Sequence, residues 1–312
     1  MKPEIKKYRA NGKLLISGEY TVLDGGLAFA IPTKFGQTLE VKSENSDGQN
    51  RTLFWEAYLH DDSLWFSAEF SLDDLSTIST TDKSLALKLQ SIFQAIEQLN
   101  PMFFKTQENS IYCKTKLEFP KDWGLGSSST LVYILAKFAR VDEFDLSDLT
   151  FKTSGYDIAC AGNDHPILYQ KKGNKRRIEK VEFHPKFLDK LYFLYLNKKQ
   201  DTQRSVSENY KSKPKNDILI LQISKITKQL ISADNLSDFE KLVEKHEELL
   251  SIYLDFKKVK KIYFTDYEGF VKSLGAWGGD FVMLTERKNF VNYFQSKGYS
   301  TIISFQEMIK NN

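Results

Sequence analysis

Apolar and polar positions along the chain follow two rhythms. Leu85, Leu89, Ile92, Phe93, Ile96 and Leu99 recur at helical spacing and fall on one face of a helix, which Pro101 ends. Residues 218–231 repeat the rhythm. So does a following helix with Phe239, Leu242, Val243, His246, Leu249 and Leu250 on one face, a pattern that reads as core packing. Ser237-Asp238-Phe239-Glu240 reads as its capping box. In residues 35–43, Leu39 and Val41 alternate with polar neighbours, which predicts a strand. Residues 8–23 read as a strand, a tight turn at Ser17-Gly18-Glu19 and a helix start. The aromatic-rich residues 53–70 predict further strands, and residues 142–152 a short connection with a helical piece around Leu146 and Leu149. Residues 167–183 predict a hairpin around Gly173-Asn174. Residues 191–196 and 281–284 predict strands, 290–294 a last helix and 300–305 a last strand. Strands and helices mix in both halves, which argues for an α+β fold in two lobes rather than a doubly wound sheet.

One stretch stands out. A strand-like run over residues 111–119 leads into Gly124-Leu125-Gly126-Ser127-Ser128-Ser129-Thr130, and Leu131, Ile134, Leu135 and Phe138 continue as a helix. Glycines let a backbone approach a ligand closely, and a helix start offers unpaired N–H groups and the positive end of a dipole. Together these make a phosphate cradle. Taken alone, the stretch fits equally well a glycine turn with Ser/Thr caps. It is not a Walker loop, because no Gly-Lys-Ser/Thr closes it.

Composition narrows the classes. The 312 residues suffice for two modest domains with a sizeable core. Basic and acidic residues nearly balance, 44 against 41, so charge makes no case for nucleic acid as a partner. The basic run Lys171, Lys172, Lys175, Arg176, Arg177 has no interleaved aromatics and reads as a solvated hairpin tip. Cys113 and Cys160 have no metal-type spacing and suit a reducing cytoplasm. No apolar run reaches membrane length, so no membrane is expected. His60, His165, His184 and His246 are scattered, which argues against a zinc site or a Ser-His-Asp triad. Each reads as a surface or partly buried residue.

Three glycine-bearing segments, in order, carry a resemblance. Residues 124–129 resemble the second motif of the GHMP kinases, the superfamily of galactokinase, homoserine kinase, mevalonate kinase and phosphomevalonate kinase. Gly12-Lys13-Leu14-Leu15-Ile16-Ser17-Gly18-Glu19-Tyr20 is similar to the first motif, and Lys272-Ser273-Leu274-Gly275-Ala276-Trp277-Gly278-Gly279-Asp280 to the third. Gly155-Tyr156-Asp157-Ile158-Ala159 is similar to the stretch that carries the active-site aspartate in the mevalonate branch. The resemblance spans nearly the whole chain. It implies an N-terminal lobe like domain 2 of ribosomal protein S5 over residues 1–169 and a ferredoxin-like lobe over residues 170–312, with the boundary near Tyr169.

The resemblance also implies a chemistry: transfer of the γ-phosphoryl group of ATP, with Mg²⁺, to a small acceptor, mevalonate or phosphomevalonate, by a monomer or homodimer. Phosphoryl transfer needs a phosphate cradle, a metal, a positioned hydroxyl and positive charge. The implied cradle is Gly124, Leu125, Gly126, Ser127, Ser128 and Ser129, with Ser128 on the metal. Asp157 takes the acceptor proton and Lys13 holds Asp157 ionised. Glu19, Tyr20, Lys272, Gly275, Ala276, Gly278 and Gly279 face the acceptor, with Lys34 and Arg204 as further cations. Residues 198–205 are similar to a Ser/Thr-bearing loop of related kinases. Tyr20 leans toward phosphomevalonate kinase, since mevalonate kinases commonly have His there.

Two departures stand against the pattern. Trp277 occupies a position where the family usually has a small residue, and is expected to wall the acceptor pocket. The glutamate that binds Mg²⁺ upstream of the aspartate in mevalonate kinases is missing, which leaves Asp145, Asp148 or water to serve. A catalytically silent metabolite sensor and a diphosphomevalonate decarboxylase-like enzyme are the alternative readings.

Overall fold

The structure, a computed structural model, describes residues 5–44, 51–107, 109–151, 153–199, 206 and 210–310. Residues 200–205 of the expected Ser/Thr-bearing loop, Arg204 among them, lie outside the described residues. Two compact units emerge, each built from several chain segments. One comprises residues 1–12, 35–121 and 126–162, the other residues 13–34, 122–125 and 163–312.

The first unit contains the earlier part of β1 (Ile5–Ser17) and the later part of β2 (Ala28–Glu44). It also contains β3 (Thr52–Tyr58), β4 (Leu64–Ser71), β5 (Thr77–Thr80), α1 (Lys83–Leu99), β6 (Ser110–Leu117), α2 (Ser127–Ala139), α3 (Glu143–Thr150) and α4 (Tyr156–Ala161). Its strands run in the order β5-β4-β3-β6-β2, with β3 and β6 parallel and the other pairs along this path antiparallel. Alternation sets which side each strand buries: Val41 of β2 is registered with Cys113 of β6, and both are buried. The apolar face of α1, through Ala86, Leu89, Ile92, Phe93 and Ile96, closes the core. Asp82 caps α1 by accepting from Leu85 N (3.0 Å).

In the second unit, residues 28–30 of β2 pair with β7 (Ile167–Lys172), which forms the expected hairpin with β8 (Lys175–Lys180). Then come β9 (Leu191–Tyr195), α5 (Asp217–Ile231), α6 (Leu236–Leu254), α7 (Val259–Tyr263), β10 (Val271–Ser273), β11 (Phe281–Thr285), α8 (Phe290–Ser296), β12 (Ile302–Ser304) and α9 (Phe305–Met308). Strands β9 to β12 form an antiparallel sheet in the order β10-β11-β9-β12. Counted along the chain this order is 2-3-1-4, the ferredoxin-like arrangement expected for the C-terminal part.

Local details correct the sequence reading. The N-cap of α6 is Asn235, whose side chain accepts from Asp238 N (2.9 Å), and Ser237 lies inside the helix. Asparagine caps as well as serine and here precedes it, so the helix starts earlier than the Ser-x-x-Glu spelling suggests. A capping box does form at Ser304 and Glu307, which turns the end of the expected last strand into α9.

Candidate active site

The glycine-serine stretch forms a strand-to-helix turn. Gly126 is the N-cap of α2 in the left-handed region, and no side chain caps the helix. The first N–H groups of α2 are therefore not taken by a capping side chain, as an anion site at a helix N-terminus requires. Gly124 sits at φ +65°, a conformation that favours glycine, and a Cβ there would lie 2.3 Å from the Asp280 carboxylate, which would have to move. Lys13 donates from its backbone N to Leu125 O (3.0 Å) and from Nζ to Gly124 O (3.1 Å), so the first motif holds the entrance of the second.

The hydroxyls divide their work. Ser128 is exposed at the first turn of α2, whereas Ser129 is buried. Ser129 Oγ donates to Asp157 Oδ2 (2.7 Å) and Thr153 Oγ1 donates to Asp157 Oδ1 (3.1 Å). Thr130 Oγ1 bonds Gln37 Oε1 (2.7 Å) and Ser127 O (3.0 Å). No hydroxyl of the run caps the helix; Ser129, named from sequence as part of the cradle, donates to Asp157 instead, and Thr153 is a functional candidate beyond those named from sequence. The signal for Ser129 was present in the hydroxyl run, but which hydroxyl faces the carboxylate depends on how α2 and α4 pack. Asp157 lies in the first turn of α4, after Gly155 as N-cap, where a negative charge is favourable.

The first motif folds as the predicted turn. Gly18, at φ +97°, sits so close to β2 that a Cβ would lie 2.3 Å from Leu27 O. Tyr20 follows at φ +61°, a costly value for an aromatic residue. Its hydroxyl accepts from Trp277 N (3.2 Å), and its ring stacks on Tyr210 at 5.6 Å. Trp277 itself is 4% exposed, packed with Tyr20, Tyr210, Leu219, Ile223, Leu250 and Leu254. The indole expected to wall the acceptor pocket is thus packed into the core of the second unit. Ala276 and Gly279 are buried, while Gly275 and Gly278 are partly exposed, both at positive φ.

Glu19 and Lys272 behave differently from residues that await a ligand. They are 1% and 0% exposed, and the Lys272 ammonium donates to Glu19 Oε1 and to Ser273 O (2.9 Å). His246 is fully buried, contrary to the surface or half-buried position expected, and its Nε2 lies 3.1 Å from Glu19 Oε2. Burial pushes the Glu19 carboxyl up, but Lys272 and His246 together pull it below the usual carboxylate range. Burial, reinforced by Lys272 and opposed by Glu19, lowers the imidazole, which is neutral. The Gly18 N–H donates to its Nε2 (3.4 Å), which ties the ring to the turn. The charges of Glu19 and Lys272 face each other, so this pair shapes the turn rather than offering charge to an acceptor. Neither His246 nor its neighbour Glu247 was legible as part of it, because both sat in a pattern that reads as plain core.

Among the described residues no group of three or more His, Cys, Asp or Glu side chains is placed to hold a metal ion. Asp145 and Asp148 are both exposed on α3. Lys34 is also exposed. A cavity of about 410 Å³ in the first unit is lined by Tyr8, Phe103, Phe138 and Arg140. Arg140 caps the far end of α2, about 20 Å along the helix from Ser127, so this cavity is not the phosphate loop. No described helix is long and apolar enough to cross a membrane.

This geometry can be set beside known proteins. No protein-family model matches the sequence, and no curated protein matches it. Solved structures do. Phosphomevalonate kinase of Streptococcus pneumoniae, in complex with phosphomevalonate and AMPPNP, aligns at a TM-score of 0.70 and 16% identity, covering 96% of this chain and 99% of that one. Mevalonate kinase of Methanococcus jannaschii aligns at 0.66 and 21% identity, covering 100% and 99%. The chain has the GHMP kinase fold. Galactokinase of Lactococcus lactis, complexed with galactose, aligns at 0.65 and 15% identity, covering 99% and 94%. The GHMP kinase fold thus extends over essentially the full length, and it is shared with kinases of different acceptors.

Proposed function

We propose that the chain is an ATP-dependent kinase that transfers the γ-phosphoryl group to a hydroxyl of a mevalonate-pathway acceptor, mevalonate or phosphomevalonate. The observation that carries the reading is Asp157, held from both oxygens by Ser129 and Thr153 beside a helix start that no side chain caps. That is the equipment of a proton acceptor next to a phosphate site. A silent sensor has no need to orient such a carboxylate.

In this reading the backbone of residues 124–128 and the first turn of α2 hold the ATP phosphates. Mg²⁺ supplies charge neutralisation on the phosphates when bound. The exposed Ser128 hydroxyl would hold it, and phosphate oxygens and water would complete the shell, as this metal tolerates. Asp157 receives the proton of the attacking hydroxyl as its oxygen bonds to the γ-phosphorus and the bond to ADP breaks. Lys13 adds positive charge. Tyr20 and the loop 275–279 shape the acceptor side, and Glu19 and Lys272 act there through each other.

An ATP-turnover assay against mevalonate, phosphomevalonate, homoserine and simple sugars tests the proposal. Phosphorylation of mevalonate or phosphomevalonate with the highest kcat/KM is expected. A sugar with much higher kcat/KM than both would refute the acceptor class. Phosphate release with loss of CO₂ from a diphosphorylated acid would favour the decarboxylase reading.

A further inference from the structure

Four ionisable side chains meet in the interior of the second unit: Glu19 in the turn after β1, Lys272 on β10, and the neighbours His246 and Glu247 on α6. All are at most 1% exposed. Glu247 is the odd member. Neither of its oxygens meets a donor in full hydrogen-bonding geometry; the Lys272 ammonium is 3.9 Å from Oε1, and the Ser273 backbone N–H, reaching toward the carboxyl, opposes its rise. Burial raises this carboxyl from its ordinary 4.5 to about 8. Lys272 opposes the rise, Glu19 adds to it, and Lys258 opposes it weakly. Near neutral pH the quartet therefore holds one cation, Lys272, one anion, Glu19, and two neutral groups.

Such a quartet is a poor way to gain stability, since well-packed apolar residues of equal volume usually do as well or better. What it provides is a fixed geometry. Glu19 lies between Gly18 and Tyr20, and Lys272 lies three residues before Gly275. Lys272 takes one oxygen of Glu19, and His246 Nε2, which accepts from the Gly18 N–H, lies 3.1 Å from the other. We propose that His246 and Glu247 are positioning residues for the acceptor side: His246 orients the ionised Glu19, and a neutral Glu247 leaves Lys272 entirely to Glu19, so residues 18–20 and 272–279 are held as one piece.

A charged Glu247 would compete with Glu19 for the same ammonium. The next cation, Lys258 before α7, is already engaged by Glu244 and Glu248 on α6. Proton loss at Glu247 should therefore loosen the turn and the third-motif loop together. The kinetic part of this proposal rests on the kinase reading above. The structural part does not.

Hydrogen exchange on the full chain separates the two. At about pH 9, peptides covering residues 13–24 and 271–280 should exchange about tenfold faster in wild type than in Glu247→Gln, and equally at about pH 6. Equal rates at both pH values would overturn the proposal, with or without any enzyme activity. With activity, the acceptor KM of wild type should rise about threefold above about pH 8 while that of ATP stays constant, and Glu247→Gln should abolish the rise. A rise that persists in Glu247→Gln overturns the positioning role. His246→Gln, which keeps a hydrogen-bonding group, should retain acceptor KM within about twofold, whereas His246→Leu should raise it. Equal KM values in the two variants would remove His246 from the proposal. Absence of turnover with every acceptor refutes the kinase reading instead.

Discussion

Replacing Glu247 with glutamine should change how the stability of the protein depends on pH, and the size of the change follows from the burial of this carboxyl. The unfolded chain releases the Glu247 proton near 4.5, while the folded chain keeps it up to about 8. Between these values folding takes up one proton, so stability is greatest below 4.5 and falls as pH rises, by about 1.4 kcal/mol per pH unit. By pH 7 the loss is about 3 kcal/mol, and it levels off above about 8 near 5 kcal/mol. Glutamine keeps the shape and the neutral state but takes up no proton, so this slope vanishes. His246 acts in the opposite sense: its imidazole is held below 6.5, so its contribution is present above that value and lost as pH falls through the folded one. Subtracting the two variants cancels it. Thermal melts of wild type and Glu247→Gln across about pH 5 to 8 measure the difference. At about 2–4 °C per kcal/mol, the gap in Tm should open in favour of glutamine by roughly 5–10 °C between pH 5 and pH 7. Parallel melting curves over that range would show that Glu247 is ionised in the folded protein and that the charge assignment is wrong.

Further outcomes follow from the same geometry. Asp157→Asn should lower turnover by about 10²–10⁴ and leave ATP binding, read by calorimetry, largely intact; near-wild-type turnover would remove Asp157 from the reaction. Ser129→Ala takes a donor from Asp157 and should lower kcat, whereas Ser128→Ala should mainly raise the KM for Mg·ATP; the reverse pattern in steady-state kinetics would mean the hydroxyl roles are exchanged. Gly18→Ala forces a Cβ to 2.3 Å from Leu27 O at a positive φ, and should cost more than about 1 kcal/mol in chemical denaturation. Unchanged denaturation would show that the turn can be built without glycine.

Much of this was written in local pattern. Period and punctuation marked α1, α5, α6 and the β7–β8 hairpin, because amphipathic helices and half-buried strands must carry their burial rhythm in the chain itself, whereas the ferredoxin-like order of strands was implied only by the family resemblance. The glycine turns at Gly18 and Gly124 were legible because a positive φ at both, and a close backbone approach at Gly18, leave few residue choices. Only the tertiary structure decided what is a contact over distance. Ser129 rather than Ser128 faces Asp157 because α2 and α4 pack with that side inward. Trp277 turned from a pocket wall into core because Tyr20, Tyr210 and Leu250 converge on it from separate parts of the chain. His246 and Glu247 lay hidden in a helix of ordinary amphipathic rhythm. Their partners Glu19 and Lys272 are remote in sequence, and a buried charge acquires its meaning only from the groups that share its low-dielectric surroundings.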